Sequence, residues 1–192
     1  MAKALSAESI TVAAAELIEQ YGRSGFSMRL LADTMGVKTA SLYNHIENMD
    51  TLLTEVCRYA LRMQGDGELR AIAGKTGREA VWALAWAYRR FAQQHRELYW
   101  LVMDTAAGEP RVLDDAAARF TEPLKQVLSG FRLPPWEEIH FRRMFRAIVH
   151  GFASQEDEGF FSHYPASTEL SFEFAIQRFI DCVLEAEKRN PS

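Results

Sequence analysis

The chain has 192 residues, of which 48% are hydrophobic, 25% charged and 11% aromatic. That balance excludes a disordered, collagenous or low-complexity chain, and the length fits one large domain or two small ones. The net charge of −4 gives no hint of a polyanionic partner: residues 1–50 hold Lys3, Arg23, Arg29 and Lys38 against Glu8, Glu16, Glu19, Asp33, Glu47 and Asp50, a local balance of −2. No run approaches the ~20 apolar residues of a membrane span, and the start lacks the apolar core of a secretory signal. Cys57 and Cys182 are too few and too far apart for a disulfide framework or a metal knuckle, which suits a reducing cytoplasm, and each sits in an apolar helical pattern and reads as a buried packing residue.

In chain order, nearly every segment reads as helix, about nine in all, with no internal repeat. Ile10, Ala13, Ala14, Leu17, Ile18 and Tyr21 form the stripe of a first amphipathic helix, capped by Ser6 and stopped near Gly22. A second, short helix starts at Ser27, carries Leu30, Leu31, Ala32 and Met35, and ends at Gly36. Thr39 is expected to cap a third, covering residues 40–45, and Asn48 a fourth, whose stripe of Leu52, Leu53, Val56, Ala60 and Met63 closes at Gly65-Asp66-Gly67. The glycines at 65, 67, 74 and 77 place a domain boundary near residue 65.

Beyond it, residues 78–95 form a helix rich in aromatics, followed by a turn or two through 98–103 and a break at Gly108-Glu109-Pro110. The next helix, 111–130, carries Leu113, Ala117, Phe120, Leu124 and Val127, and Pro123 is expected to kink or split it. Pro134-Pro135 is a firm break before a helix running to about Phe161. His163-Tyr164-Pro165 is a loop, and a last helix starts near Ser167 or Thr168.

The strongest local signal lies at residues 27–48: two short helices joined by a tight Gly36-Val37-Lys38 turn and braced by a preceding helix. This is the layout of a helix-turn-helix, although short helical hairpins with glycine are also common in all-α proteins. The third helix is polar and small (Lys38, Thr39, Ser41, Asn44, His45) around the apolar anchors Leu42 and Ile46. Hydroxyl and amide groups donate to phosphate oxygens, lysine reaches phosphate or a guanine edge, and the Tyr43 hydroxyl suits a phosphate; the alternative is a solvated face.

At this point the sequence resembles the TetR family of bacterial transcriptional regulators. The similarity runs through the Ala-rich first helix ending in Tyr21-Gly22, then Gly25-Phe26-Ser27-Met28-Arg29, Leu31-Ala32, Met35-Gly36-Val37, Ser41-Leu42-Tyr43-Asn44-His45-Ile46 and Leu52-Leu53. It covers about the first 55 residues and is close to the tetracycline-repressor-like branch. The resemblance implies that Ser27 and Arg29 touch phosphate at the second helix, that Lys38, Thr39, Ala40, Ser41, Tyr43, Asn44 and His45 belong to the recognition helix, and that the amides near Asn48 and Met49 hold a phosphate. The family often has a basic arm before the first helix, where this chain has only Lys3, and commonly a lysine where this chain has Met49. Both departures imply modest phosphate affinity. Ile148-Val149-His150-Gly151-Phe152 with Gly159-Phe160-Phe161 is weakly similar to a Trp-His-Gly type of C-terminal domain, with its tryptophan missing.

The aromatic set Trp82, Trp86, Tyr88, Phe91, Trp100 and Phe120 is read either as core or as the wall of a cavity. Family members bind small apolar or amphipathic molecules in this part of the chain, which makes Trp82, Trp86, Phe91, Phe120, His140, Met144 and His150 the candidate ligand residues. The last two long helices are expected to pair with their copies in a homodimer through Phe145, Phe152, Phe172, Ile176, Phe179 and Val183. The histidines show no metal spacing, and there is no phosphate-cradling glycine loop, no nucleophile elbow and no catalytic carboxylate pair, so no enzyme, metal or cofactor is expected.

The reading is an all-α, two-domain, cytoplasmic regulator: residues 1–48 bind double-stranded operator DNA, 49–65 connect, and 66–192 bind an effector and dimerise, with no membrane partner. The resemblance implies a repressor released by its effector. The alternative is a helical ligand-binding or interaction module whose DNA head is weak or inactive.

Overall fold

The computed structural model describes residues 5–108 and 114–190. Among them all regular structure is helical, and the chain forms two compact units: residues up to 63 with 95–120, and residues 64–94 with 121 onward.

The first unit is built on α1 (Ala7–Gly25), α2 (Met28–Met35) and α3 (Thr39–Leu42), with the opening turns of α4 (Met49–Ile72), all of α6 (Arg96–Gly108) and the start of α7 (Asp114–Ser129). Ser6 caps α1 through a reciprocal pair of bonds with Ser9, as its position promised. Gly22 does interrupt the helix, with φ 71°, but Arg23–Gly25 resume helical geometry beyond it. The core gathers Ile10, Ala14, Ile18, Leu31, Leu42, Leu52, Val56 and Leu98. Cys57 is buried in it, its thiol donating to Thr105 Oγ1 at 3.3 Å. Between α1 and the residue before α6, Glu19 meets His95 Nδ1 at 3.2 Å, and burial pushes the Glu19 carboxyl above its usual range against the pull of that histidine.

The second unit combines the end of α4, α5 (Gly77–Gln94), most of α7, α8 (Pro135–Asp157), a 3-10 turn (Phe160–His163) and α9 (Thr168–Arg189). Its interior is aromatic: Phe145 and Phe179 meet edge to face with centroids 5.4 Å apart, and Phe152 and Phe172 at 5.2 Å. Arg89, almost fully buried, holds Glu156 through two hydrogen bonds of 3.1 and 2.7 Å, which makes the pair a charged tie between α5 and α8.

Four sequence expectations change. The fourth helix does not close at Gly65-Asp66-Gly67; it continues to Ile72. Glycine costs only about 1 kcal/mol per helical position, and burial of the apolar Ile72 on the continuing helix offsets part of that. Pro123 lies inside α7 without ending it. α8 stops at Asp157, where Gly159 takes a left-handed φ of 74° into the 3-10 turn, rather than near Phe161. Cys182, read as a buried packing residue, is exposed. The expected break at Gly108-Glu109-Pro110, Leu113 of the next stripe and the Lys3 arm lie wholly or partly outside the described residues.

Candidate nucleic-acid interface

Ser27 caps α2, accepting the Leu30 amide at 3.1 Å, which leaves its hydroxyl hydrogen as a donor. Gly36 closes α2 in the left-handed region, with φ 68°, and its amide and that of Val37 return to Asp33 and Ala32 carbonyls at 3.2 and 3.0 Å. That tight return sets the angle between α2 and α3. Lys38, not Thr39, is the residue that caps α3: Thr39 is already helical, and no side chain caps the start. The Ser41 amide closes onto Lys38 at 2.8 Å, and the His45 and Ile46 amides onto Leu42 at 2.9 and 3.1 Å, so residues 43–45 prolong the helix as a turn.

Leu42 and Ile46 are buried and pin this segment to the unit. On the other side Lys38, Ala40, Tyr43, Asn44 and His45 are exposed, with Thr39 and Ser41 half-buried between the two faces. Arg29 is exposed and only loosely paired with Asp33 at 3.8 Å, an ion pair of negligible strength. Asn48 caps α4, accepting the Thr51 amide at 2.8 Å. A short helix held by two apolar anchors thus presents a row of lysine, hydroxyl, amide and imidazole donors, with Ser27, Arg29 and Asn48 on the flanking helix starts.

The candidate ligand residues fall in both units. Phe120 belongs to the first unit, half-buried against its core, whereas the other six belong to the second. Trp86 is half-buried, edge-on to Phe172 at 5.3 Å and under the Arg89 guanidinium at 5.2 Å; Trp82 is half-buried and Phe91 buried in the same helix. His140 stands exposed beside Trp136, Met144 is exposed, and His150 is half-buried. A cleft in this unit instead has a volume of about 250 Å³ and is lined by Phe152, Phe161, Tyr164, Ala166, Thr168 and Ser171. No spacing rule pointed to it, because it forms where the 3-10 turn folds back between α8 and α9.

Five of the six expected dimerisation residues are interior. Phe145, Phe172, Ile176, Phe179 and Val183 are at most 2% exposed within a single chain, and Phe152 is half-buried between Phe161 and Phe172. They fill this unit's own core. The large apolar side chains that α8 and α9 leave uncovered are Trp136, Ile139, Met144, Leu170 and Phe174. Among the described residues no group of His, Cys, Asp and Glu is placed to hold a metal ion, and no helix is long and apolar enough to cross a membrane.

Comparison with known proteins agrees with this geometry. Residues 10–56 match the family described as bacterial regulatory proteins, tetR family, and residues 81–179 match a tetracyclin repressor-like C-terminal domain. The chain is 28% identical over 182 residues to YobS, an uncharacterized HTH-type transcriptional regulator of Bacillus subtilis, covering 94% of this chain and 93% of that one. A protein of unknown function from Rhodococcus sp. RHA1 shares the fold with a TM-score of 0.79 at 20% identity, over 94% of this chain and 96% of that one. A TetR variant from Acinetobacter baumannii AYE, solved in complex with minocycline, shares it with a TM-score of 0.68 at 18% identity, over 95% and 98% of the two chains. The protein belongs to the tetR family of bacterial regulatory proteins and is a non-enzymatic, DNA-binding transcriptional regulator.

Proposed function

We propose that the protein is a cytoplasmic repressor that binds a palindromic operator as a homodimer and leaves it when a small apolar or amphipathic effector binds. Residues 1–48 form the DNA-contacting part, 49–65 the connection, and 66–192 the effector and dimer part. Lys38, Thr39, Ala40, Ser41, Tyr43, Asn44 and His45 enter the major groove, while Ser27, Arg29 and the α4 start at Asn48 hold phosphates. The observation that carries this reading is the exposed donor row on a segment whose opposite side, Leu42 and Ile46, is locked in the core. The minocycline complex of the Acinetobacter relative supports a small-molecule effector. An effector acts only if its affinity differs between the DNA-competent and incompetent conformers.

Fluorescence anisotropy with the intergenic DNA upstream of the gene tests this. Tyr43→Phe weakens binding about equally on all sequences. Lys38→Ala costs about 1–3 kcal/mol and relaxes sequence preference if it reads a base. Operator binding unchanged by either substitution refutes the placement of the recognition helix. The low count of cations in residues 1–50 favours one competing reading, a ligand-binding module with an inactive head. Absence of any salt-sensitive specific complex selects it.

A further inference from the structure

The end of α4 is built unlike the rest of that helix. Beyond residue 63 its buried side chains are Gln64, Glu68 and Ile72, so two of the three are polar, and Leu69 is only half-buried. Gly65 and Gly67 lie among them, each disfavouring helix about fivefold relative to alanine. Crowding does not require glycine at 67: an added Cβ would meet only Arg70 Nη2, at 3.8 Å. A stretch with one buried apolar anchor and two glycines belongs to the weakly held part of a fold.

The central buried group of that stretch is an acid. Glu68 accepts a hydrogen bond of 2.9 Å from Gln64 Nε2, one turn earlier on the same helix. From α8 the half-buried Arg146 acts on it, and that guanidinium also lies over the Tyr88 ring of α5, 6.0 Å from its centroid. Among the described residues, Arg146 and Gln64 are the polar groups that favour the carboxylate form. Burial outweighs both and holds the proton on Glu68 up to about 7. Exposed to water, the same carboxyl releases it near 4.5.

We infer that Glu68 makes residues 64–72 of α4 a proton-operated latch, seated in the second unit while the carboxyl is protonated and released as it ionises. The released segment gives up its proton at lower pH than the seated one. Seating therefore weakens as pH rises from 4.5, and weakens no further once both forms are ionised above about 7. α4 passes from the first unit into the second at Gln64, so release shortens the part of the connecting helix that the second unit grips. Ambient pH thus becomes an input to that helix, separate from any effector.

Amide hydrogen exchange of the full-length protein at pH 6 and pH 8, corrected for intrinsic rates, tests the latch. Residues 64–72 lose about tenfold in protection between the two values in the parent and none in Glu68→Gln. Urea well below the unfolding transition leaves their exchange unchanged, because a local opening exposes little surface. The same urea speeds exchange at the buried Phe179 and Ile180 of α9, which need the unit to unfold. Gly67→Ala makes the opening about fivefold rarer at both pH values. Exchange of residues 64–72 that keeps step with Phe179 and Ile180 in urea means that the segment opens only with the whole unit, and overturns the inference. So does a loss of protection between pH 6 and pH 8 that persists in Glu68→Gln. The measurement needs no DNA and is independent of where the recognition helix lies.

Discussion

Glu68 is an acid in a place that suits none. It is 2% exposed on α4, accepts a hydrogen bond of 2.9 Å from Gln64 Nε2, and lies within electrostatic reach of Arg146. Burial raises its carboxyl from the ordinary 4.5 to about 7, with Arg146 and Gln64 pulling the other way. Between those two values the folded chain keeps the proton that the unfolded chain has released. Stability contributed at this site is therefore greatest below pH 4.5, falls as pH rises, and levels off once both states are ionised above about 7. Glu68→Gln removes that loss. Urea unfolding at pH 8 is expected to show the variant more stable by at most about 3 kcal/mol, with the difference closing at pH 4. A parent curve that does not fall relative to the variant between those pH values contradicts this account.

Among elements, the helix starts and stops were the most legible part of the sequence. Ser6, Ser27, Asn48 and Ser167 cap where their side chains can accept an amide three residues on. Gly36 stops α2 because only glycine takes φ 68° without strain. Nothing lies within 4 Å of an added Cβ there, so Gly36→Ala meets a conformational cost alone, about 1 kcal/mol. Asn48→Ala forfeits a cap of similar worth, about 1 kcal/mol. Thermal denaturation is expected to show both losses, and anisotropy to show weaker operator binding for Gly36→Ala beyond what its stability change explains, since that turn aims α3. The Gly65-Gly67 pair misled because glycine's local penalty is visible in sequence while the burial of Ile72 is a property of the folded unit. Lys38 and Thr39 exchanged roles for a simpler reason: the turn after Gly36 is one residue tighter than a side-chain cap at Thr39 requires.

At the scale of the whole molecule, an apolar stripe says that a face is covered but not by what. Phe145, Phe172, Ile176 and Phe179 were read as partner contacts and turn out to be internal packing. The donor row of α3 was legible because it needs only local spacing. The aromatic cleft was not, since it joins residues from two or more segments. Trp136, Ile139 and Met144 on α8 and Leu170 and Phe174 on α9 are the large apolar side chains these helices leave uncovered. If they form the dimer seam, a Met144→Glu and Phe174→Glu double variant sediments as a monomer at micromolar concentration and loses cooperative operator binding, while its helical circular dichroism is unchanged. A dimer that survives both charges places the seam elsewhere.

The two cysteines differ in a way that makes each a reporter of its own event. Cys57 is sealed under α6 with its thiol hydrogen-bonded to Thr105, and burial pushes that thiol further from its reactive thiolate form. A thiol reagent reaches it only when the first unit opens locally, so its labelling rate measures that opening. Cys182 is exposed, two turns beyond Phe174 on α9. Packing of a second copy on that face would shield it, so its labelling rate, followed against protein concentration, tracks assembly. One chain, with no residue added, thus carries a chemical clock for breathing of the first unit and, if the second unit pairs with its copy through that face, another for association.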